Sequence, residues 1–348
     1  MASDGLYGIR ATRAVPPGYA LDDQERKAVY GSALAQFDEL IAAAASVDPA
    51  SRPLPLFYAL SQAGRAIAAA HAEGVWRLRM HGLSAPDLDR APQAIEVRRA
   101  PRENESWVDS VTGVAAATRT GVFTDTATIG ALWASLPELF NLQPTSPDAD
   151  PRPLRLVPEN PGPENLHLQT DPGHVYATVV GFSGTADELV RHLAECYPTS
   201  GDPKLCQPQG LPYVQQHTVC GYGFLFRWDA DAPDINGHIG TLDRLAPADS
   251  QHVPTDGPWL VFPPSDGFQP RWLRPSVGGA ALSSLLSWWT LLFGLSMLAR
   301  YEPAVWTTAL DYDSSDLAAP LDAVLATGLA RIPELVLATL TAKPRVDL

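Results

Sequence analysis

The stretch at residues 56–83, LFYALSQAGRAIAAAHAEGVWRLRMHGL, places three arginines and two histidines in an otherwise apolar neighbourhood. Its end, WRLRMHGL, could present the guanidiniums of Arg77 and Arg79 and the imidazole of His81 to an anionic ligand such as a nucleotide phosphate. Guanidinium groups suit this role because they form paired, charge-assisted hydrogen bonds with phosphate oxygens. The sequence therefore predicts an anion-binding site at Arg77, Arg79 and His81.

A structural alternative exists for the same residues. Basic and apolar residues alternate along WRLRMH, as they do in an extended segment with one side against a core. In that case Trp76, Leu78 and Met80 point inward and the arginines point into solvent, and the segment is only a turn that follows a helix. Both interpretations remain open at this stage.

A second group of residues has types that could bind a metal: His192, Cys196, Cys206, His217 and Cys220. His192 and Cys196 are four residues apart on a predicted helix, so they share a face, and zinc takes four such ligands. The intervals between the cysteines match no common zinc finger, however, and buried cysteine is more often a small apolar filler. We therefore expect no metal and no cofactor.

Composition limits the classes of protein that the chain can belong to. The net charge is −14, and duplex DNA is a poor expectation for so acidic a chain, because a DNA-binding surface needs an excess of Lys and Arg. Three cysteines in 348 residues do not make a disulfide framework. The first residues lack the apolar core of a signal peptide, and there is no Walker A, Gly-x-Ser-x-Gly or His-Glu-x-x-His motif. A cytoplasmic protein without an evident catalytic motif is the resulting expectation.

An uncharged run at residues 275–299 raises the question of a membrane span. It is long enough, since a span needs about 20 apolar residues. Serines, glycines and a threonine dilute it, its tryptophan pair Trp288 and Trp289 lies mid-run, and arginines flank both ends. We predict a buried central helix of a soluble protein and keep a membrane anchor as the alternative, so that no membrane partner is expected.

The periodicity of apolar residues predicts the elements that must position these groups. Spacings of three and four predict helices at 22–46 and 54–73, which a short connection makes an antiparallel pair. Strands are expected at 93–99, 174–182, 217–228 and 258–263, a hairpin or irregular strands at 105–125, and a short helix at 128–140. The last third is helical again.

This order of elements predicts an α+β fold. The N-terminal and C-terminal helices pack together around a buried central helix, and the middle of the chain is rich in β-strands. Three regions follow: an N-terminal helical segment at 1–90, a β-rich region with short helices at 91–265, and a C-terminal helical region at 266–348 that packs on the first.

Two stretches together resemble the YaaC-like protein family. One is RPLPLFYALSQAGRAIAAA followed by HGL, and the other is LLFGLSMLARYEPAVWTTAL, with ALWASLPELF between them. The similarity covers roughly residues 25–340. The resemblance implies a fold pattern and little chemistry, which leaves a non-catalytic protein that binds an anionic or nucleotide ligand, or a protein partner, as the leading hypothesis.

A local likeness suggests an alternative function. FYALSQAGRAIAAAH is similar to the aromatic and small-residue helix of HEPN-type helical domains, some of which are ribonucleases with an Arg-x(4–6)-His element completed across a dimer. Arg65 and His71 have that spacing. The resemblance implies a metal-independent ribonuclease, a toxin or defence effector, and a homodimer. His71 would be the general acid or base, and Arg65 would stabilise charge on the phosphate.

Overall fold

The computed structural model describes residues 2–118, 120–142, 152–158, 174–180, 188, 191–192, 195–196, 216–217, 221–227, 271–280 and 282–341. Its helices are α1 Ala2–Thr12, α2 Gln24–Ser46, α3 Pro53–His71, α4 Ser110–Thr118, α5 Ile129–Ala134, α6 Ser284–Tyr301, α7 Pro303–Ala309 and α8 Ala318–Thr341. Small antiparallel sheets accompany them, so the predicted α+β class is confirmed.

The helix pair α2–α3 forms where the periodicity predicts it. The Asp23 side chain caps α2 by accepting hydrogen bonds from the N–H groups of Glu25 and Arg26, and Pro53 starts α3 at a position that needs no N–H donor. The apolar stripe that the spacings predict for α2 is buried at Tyr30, Leu34, Phe37 and Ile41. Its predicted last member, Ala45, is exposed, and Ala44 is buried in its place. The two helices pack along their length and bury their stripes against each other.

The strands are β1 Leu83–Ser84, β2 Glu96–Arg99, β3 Glu103–Asn104, β4 Trp107–Val108, β5 Thr126–Thr128, β6 Leu154–Pro158, β7 His174–Val180, β8 Gln216–His217, β9 Gly221–Arg227 and β10 Arg271–Leu273. They form a three-stranded sheet β1-β2-β5, a hairpin β3-β4 and a five-stranded sheet β10-β6-β7-β9-β8. The predicted strands at 93–99, 174–182 and 217–228 are confirmed by β2, β7 and β9.

Helix α6 is the buried centre of the fold. All of its residues from 284 to 296 are buried, and it packs against α3, α5, α7 and α8. Small residues let the neighbours approach: a Cβ at Gly294 would lie 2.8 Å from Ile129 of α5, and one at Gly328 of α8 would lie 3.0 Å from the Trp288 ring. The prediction of N- and C-terminal helices packed around a buried central helix is confirmed.

The two ends of the chain also meet. Helix α1, which the periodicity did not predict, packs on α8 and is fixed to α2 by two hydrogen bonds of 2.8 Å from Arg10 to the Asp38 carboxylate. Among the described residues, one helix, Ala318–Thr341, is long and apolar enough to cross a bilayer, and 50% of its most apolar window is buried.

Residues 105–125 differ from the prediction. Only β4, which forms a hairpin with β3, is extended there. Helix α4 follows in place of the predicted hairpin or irregular strands, because Asp109 caps its first turn by accepting the N–H of Thr112. The predicted helix at 128–140 is split into α5 and a short 3₁₀ turn at Pro137–Leu139. The predicted strand at 258–263 lies outside the described residues, and the division at 90 and 265 stays a prediction.

Candidate functional site

The segment at residues 77–83, called here the His81 turn, leads from α3 into β1. Its first half pairs with β4: the Arg79 N–H donates to the Val108 carbonyl at 3.0 Å, and the Val108 N–H donates to the Arg77 carbonyl at 3.1 Å. This extended pairing buries Leu78 and leaves Arg77 and Arg79 exposed. The inward and outward alternation predicted by the sequence holds up to this point.

At Met80 the alternation ends, because the backbone enters the left-handed region with φ 58°. The Met80 side chain is consequently 52% exposed instead of pointing inward. Its carbonyl accepts two hydrogen bonds from Ser110, one from the N–H at 3.1 Å and one from the hydroxyl at 2.7 Å. A left-handed methionine costs about 1–3 kcal/mol, and such strained residues concentrate at functional sites.

The buried carboxylate of Asp109 lies directly under Gly82 of the turn and is joined to it through Arg99, which also donates to the Gly82 carbonyl. Asp109 is 1% exposed and accepts from the Thr112 hydroxyl at 2.8 Å, the Arg102 N–H at 3.1 Å and the Arg99 guanidinium at 3.3 Å. Gly82, with φ 78°, is required here because a Cβ would overlap Oδ1 of Asp109. The carboxylate is therefore fully occupied as an anchor for the backbone.

The His81 ring is held against the core on one side. Its centroid lies 4.8 Å from that of Phe293 on α6 and 6.4 Å from that of Phe57 on α3. The Leu83 N–H donates to Nδ1 at 3.2 Å, so Nε2 carries the proton of the neutral ring. Although His81 as a residue is exposed, burial of its ring is the largest effect and lowers its pKa. The hydrogen bond from Leu83 and the charge of Asp109 act to raise that pKa, and the smaller effect of the Arg300 charge lowers it.

The structure does not bring the three predicted anion-binding residues around one point. Arg77 pairs with Glu25 of α2 and lies 5.6 Å from the Trp76 ring centroid. His81 contacts α3 and α6 instead. Arg79 lies between them, is exposed, and has no side-chain partner among the described residues. Of the three predicted residues, Arg79 and His81 therefore remain available to one ligand.

Arg65 and His71 are not brought together either. Six residues along an α-helix separate them by about 120° around the axis and about 9 Å along it. Arg65 donates to the Leu78 carbonyl at 2.6 Å, whereas Nε2 of His71 donates to the Leu340 carbonyl of α8 at 3.1 Å. Burial lowers the pKa of His71. The ribonuclease hypothesis stays a prediction, and these two residues have different neighbours.

The contacts of Arg65 reveal a relation that sequence reasoning missed. The turn runs antiparallel to α3, because Leu78 is bonded to Arg65 while His81 contacts Phe57. Tyr58 and Arg65 are seven residues apart, which places them on the same face of α3. We call this face and the His81 turn together the α3 groove. The seven-residue spacing was a signal in the sequence, but nothing in the sequence showed which segment lies beside it.

Arg300 is the other residue that the sequence did not predict for the site. It lies on the same face of α6 as Phe293, which is seven residues earlier. Its positive charge acts to lower the pKa of His81. Its guanidinium also donates to the Tyr301 hydroxyl at 3.2 Å. This proximity depends on the packing of α6 against α3 and could not be read from local sequence.

The metal-like group is only partly within the described residues. Sγ of Cys196 lies 3.5 Å from Nδ1 of His192, and burial raises the pKa of the Cys196 thiol. Cys206 and Cys220 lie outside the part of the chain that the structure describes. Within that part, no group of three or more His, Cys, Asp and Glu side chains is close enough to hold a metal ion.

The fold is that of an α+β protein with a helical core, and the surface named the α3 groove carries basic and aromatic side chains. A model of the YaaC-like protein family matches residues 215–340, which confirms the suspected resemblance to that family over this part of the chain. The match includes α6, with Phe293 and Arg300, and does not extend to the His81 turn. Neither the curated proteins nor the solved structures contain a match to this chain.

Proposed function

We propose that this protein binds a small anionic ligand in the α3 groove and performs no reaction on it. The observation that carries the proposal is the arrangement around Leu78. Arg65 is fixed to the Leu78 carbonyl, and Arg79, the next residue along the turn, is exposed and without a partner among the described residues. The guanidinium of Arg65 and the chain position of Arg79 therefore lie at adjacent backbone positions of the turn, which supports a local positive site on an acidic chain.

The surrounding charges support an anion over a cation at this place. Arg300 adds a third positive charge near His81. The nearest buried acid, Asp109, is neutralised by Arg99 at 3.3 Å and by backbone donors. A phosphate or carboxylate therefore meets the donors of Arg65 and Arg79, and guanidiniums bind such groups through paired hydrogen bonds.

The groups near the groove are occupied in ways that do not suit catalysis. His71 faces α8 through its bond to Leu340, and Asp109 accepts hydrogen bonds on both oxygens. His81 presents Nε2 alone, with no second titratable side chain bonded to it among the described residues. These contacts favour binding over general acid–base chemistry, which needs a proton carrier within reach of the reacting group.

We propose further that the protein is soluble and cytoplasmic, because the uncharged run is the buried helix α6. Duplex DNA is not the proposed ligand, since a net charge of −14 opposes it. A homodimer remains a prediction, which sedimentation of the purified chain at two concentrations would test. A product recovered without detergent in the soluble fraction would support the proposed location.

The binding proposal can be tested by thermal unfolding of the full chain with inorganic phosphate, pyrophosphate and small carboxylates. A ligand at 100 times its Kd stabilises the folded state by about 2.7 kcal/mol. We expect this shift in the wild type and in the Arg98→Ala control, whose arginine pairs with Glu96 on β2. Arg79→Ala should lose it. An equal shift in Arg79→Ala, or no shift with any anion, contradicts the proposal.

A further inference from the structure

We infer that the anionic ligand of the α3 groove is a nucleoside phosphate, with its phosphate at Arg65 and Arg79 and its base between Tyr58 and His81. This inference rests on the proposed function and specifies its ligand class. It comes from the polarity of the groove, in which Arg65 and Arg79 occupy one end and the rings of Tyr58 and His81 occupy the other, with the charge of Arg300 near His81.

Three contacts fix that polarity. Arg65 donates to Leu78 at one end, and at the other end Phe57 contacts both His81, with centroids 6.4 Å apart, and Tyr58, with centroids 5.4 Å apart. Because the turn and the helix run antiparallel, Arg79 lies toward Arg65 and His81 toward Tyr58. The groove therefore has two chemically different ends that a ligand must match.

The aromatic end suits a nucleobase. Tyr58 is 43% exposed although it is large and partly apolar, and it belongs to a group of rings that continues through Phe57, His81 and Phe293. Exposed aromatic rings of this kind serve as stacking platforms for bases, and they accept different bases because every base has a π-face. A free inorganic anion would leave this end unused.

The cationic end suits a phosphate. Arg65 uses one of its donors on the Leu78 carbonyl and keeps the others, since a guanidinium has five N–H donors. Within the part of the chain that the structure describes, no hydrogen bond occupies the side-chain donors of the exposed Arg79. The two arginines can therefore hold a phosphate in the bidentate manner that guanidiniums favour.

The two ends are separated along α3. Tyr58 and Arg65 are seven residues apart, which corresponds to about 10 Å along the helix axis, and their long side chains can reach toward each other over part of that length. A nucleotide carries both a base and a phosphate for these two ends, whereas a sugar phosphate has no base for the aromatic end. The same chemistry is offered by a free nucleotide and by one unit of a single strand.

The experiment compares four probes on the full chain by calorimetry: inorganic phosphate, ribose 5-phosphate, a nucleoside 5′-monophosphate and a single-stranded RNA tetramer. We expect the nucleoside monophosphate to bind at least about tenfold more tightly than ribose 5-phosphate, as one stacked base provides. A tetramer that binds more tightly than the mononucleotide identifies a strand as the source, and equal affinities identify a free nucleotide.

The variants separate the two ends. Tyr58→Ala should reduce the affinity for the nucleotide to that for ribose 5-phosphate and leave ribose 5-phosphate binding unchanged, while Tyr58→Phe should retain the stacking. Tyr7→Ala, which changes a tyrosine that is 75% exposed on α1, is the matched control and should change neither affinity. Arg79→Ala should weaken all four probes.

The outcomes distinguish this inference from the proposed function. One outcome would overturn the nucleotide assignment and leave anion binding intact. In that outcome ribose 5-phosphate and the nucleotide bind with equal affinity, Tyr58→Ala changes neither affinity, and Arg79→Ala lowers both. Absence of binding by every probe would overturn both. Nucleotide binding that Tyr58→Ala and Tyr7→Ala reduce equally would also overturn the assignment, because the loss would then not come from the groove.

Discussion

Helix α6 and the His81 turn hold their residues by different means. In α6, side chains are positioned by shape, as where the Trp289 ring fills the space that Gly64 of α3 leaves open. In the turn, position comes from hydrogen bonds that Ser110 donates to the Met80 carbonyl and Arg99 donates to the Gly82 carbonyl, and from a left-handed backbone at Met80. The core gains stability from close packing, whereas the turn gives up stability to hold an exposed residue, a contrast that supports the proposal of a binding role for the turn.

Close packing in the core has its own cost. The indole N–H groups of Trp133, Trp288 and Trp289 are buried without an acceptor among the described residues. Each such group costs about 1–3 kcal/mol. The area that three buried indoles remove from water outweighs this cost, since aromatic side chains bury about 150–250 Å² each. Shape therefore contributes more than hydrogen bonding to the position of the α6 side chains, whereas hydrogen bonding contributes more in the turn.

The largest effect on stability is expected from the removal of the buried Asp109 carboxylate beneath the turn. Asp109→Ala leaves Arg99 without its buried partner, and removal of one member of a buried ion pair costs about 3–5 kcal/mol. We expect that loss in the free energy of unfolding, measured by denaturant titration. Asp23→Ala is the control, because Asp23 also caps a helix but is exposed and should cost only about 1 kcal/mol. Similar losses in the two variants would show that the anchor is no more than a cap.

The second prediction perturbs the packing of α6. A Cβ at Gly64 would overlap the Trp289 ring, so Gly64→Ala should destabilise the protein by about 1–3 kcal/mol through overpacking. Gly31→Ala is the matched control, since a Cβ on that glycine of α2 meets nothing within 4 Å. It should be neutral or stabilising by up to about 1 kcal/mol. Equal melting temperatures for the two variants would contradict the role of shape in the core.

The third prediction separates stability from binding in the turn. Met80→Gly removes the strain of a left-handed side chain and should raise the free energy of unfolding by about 1 kcal/mol. If the strain serves to present His81, affinity for the anionic ligand should fall at the same time, because a glycine fixes the turn less firmly. Met80→Ala is the control, since alanine keeps the strain at φ 58°. A stabilised Met80→Gly variant with unchanged affinity would remove the functional meaning of the strain.

The helical core could be predicted from the sequence to a larger extent than the His81 turn. Stripes with spacings of three and four predicted α2 and α3, and the uncharged run predicted α6, because local periodicity records which face is buried. Helix α4 was missed because its valines and threonines favour strands and the cap at Asp109 was overlooked. The left-handed Met80 could not be predicted, since methionine rarely adopts that conformation. The proximity of Arg65 to the turn is a long-range contact without a local signal.

The smallest expected effect is on the pH dependence of stability, and it is tested by comparing one histidine from each region. Burial lowers the pKa of both His71, between α3 and α8, and His81 in the turn, and His71 is the less exposed residue. A histidine whose pKa is lower in the folded state binds fewer protons there than in the unfolded chain, where its pKa is about 6.5. Stability should therefore fall as pH drops from about 7 through 6.5, until the lowered folded pKa is passed. His71→Gln should reduce this slope more than His81→Gln, as urea titrations at several pH values would measure. A larger change for His81→Gln would mean that the turn, and not the helical core, carries the greater burial cost.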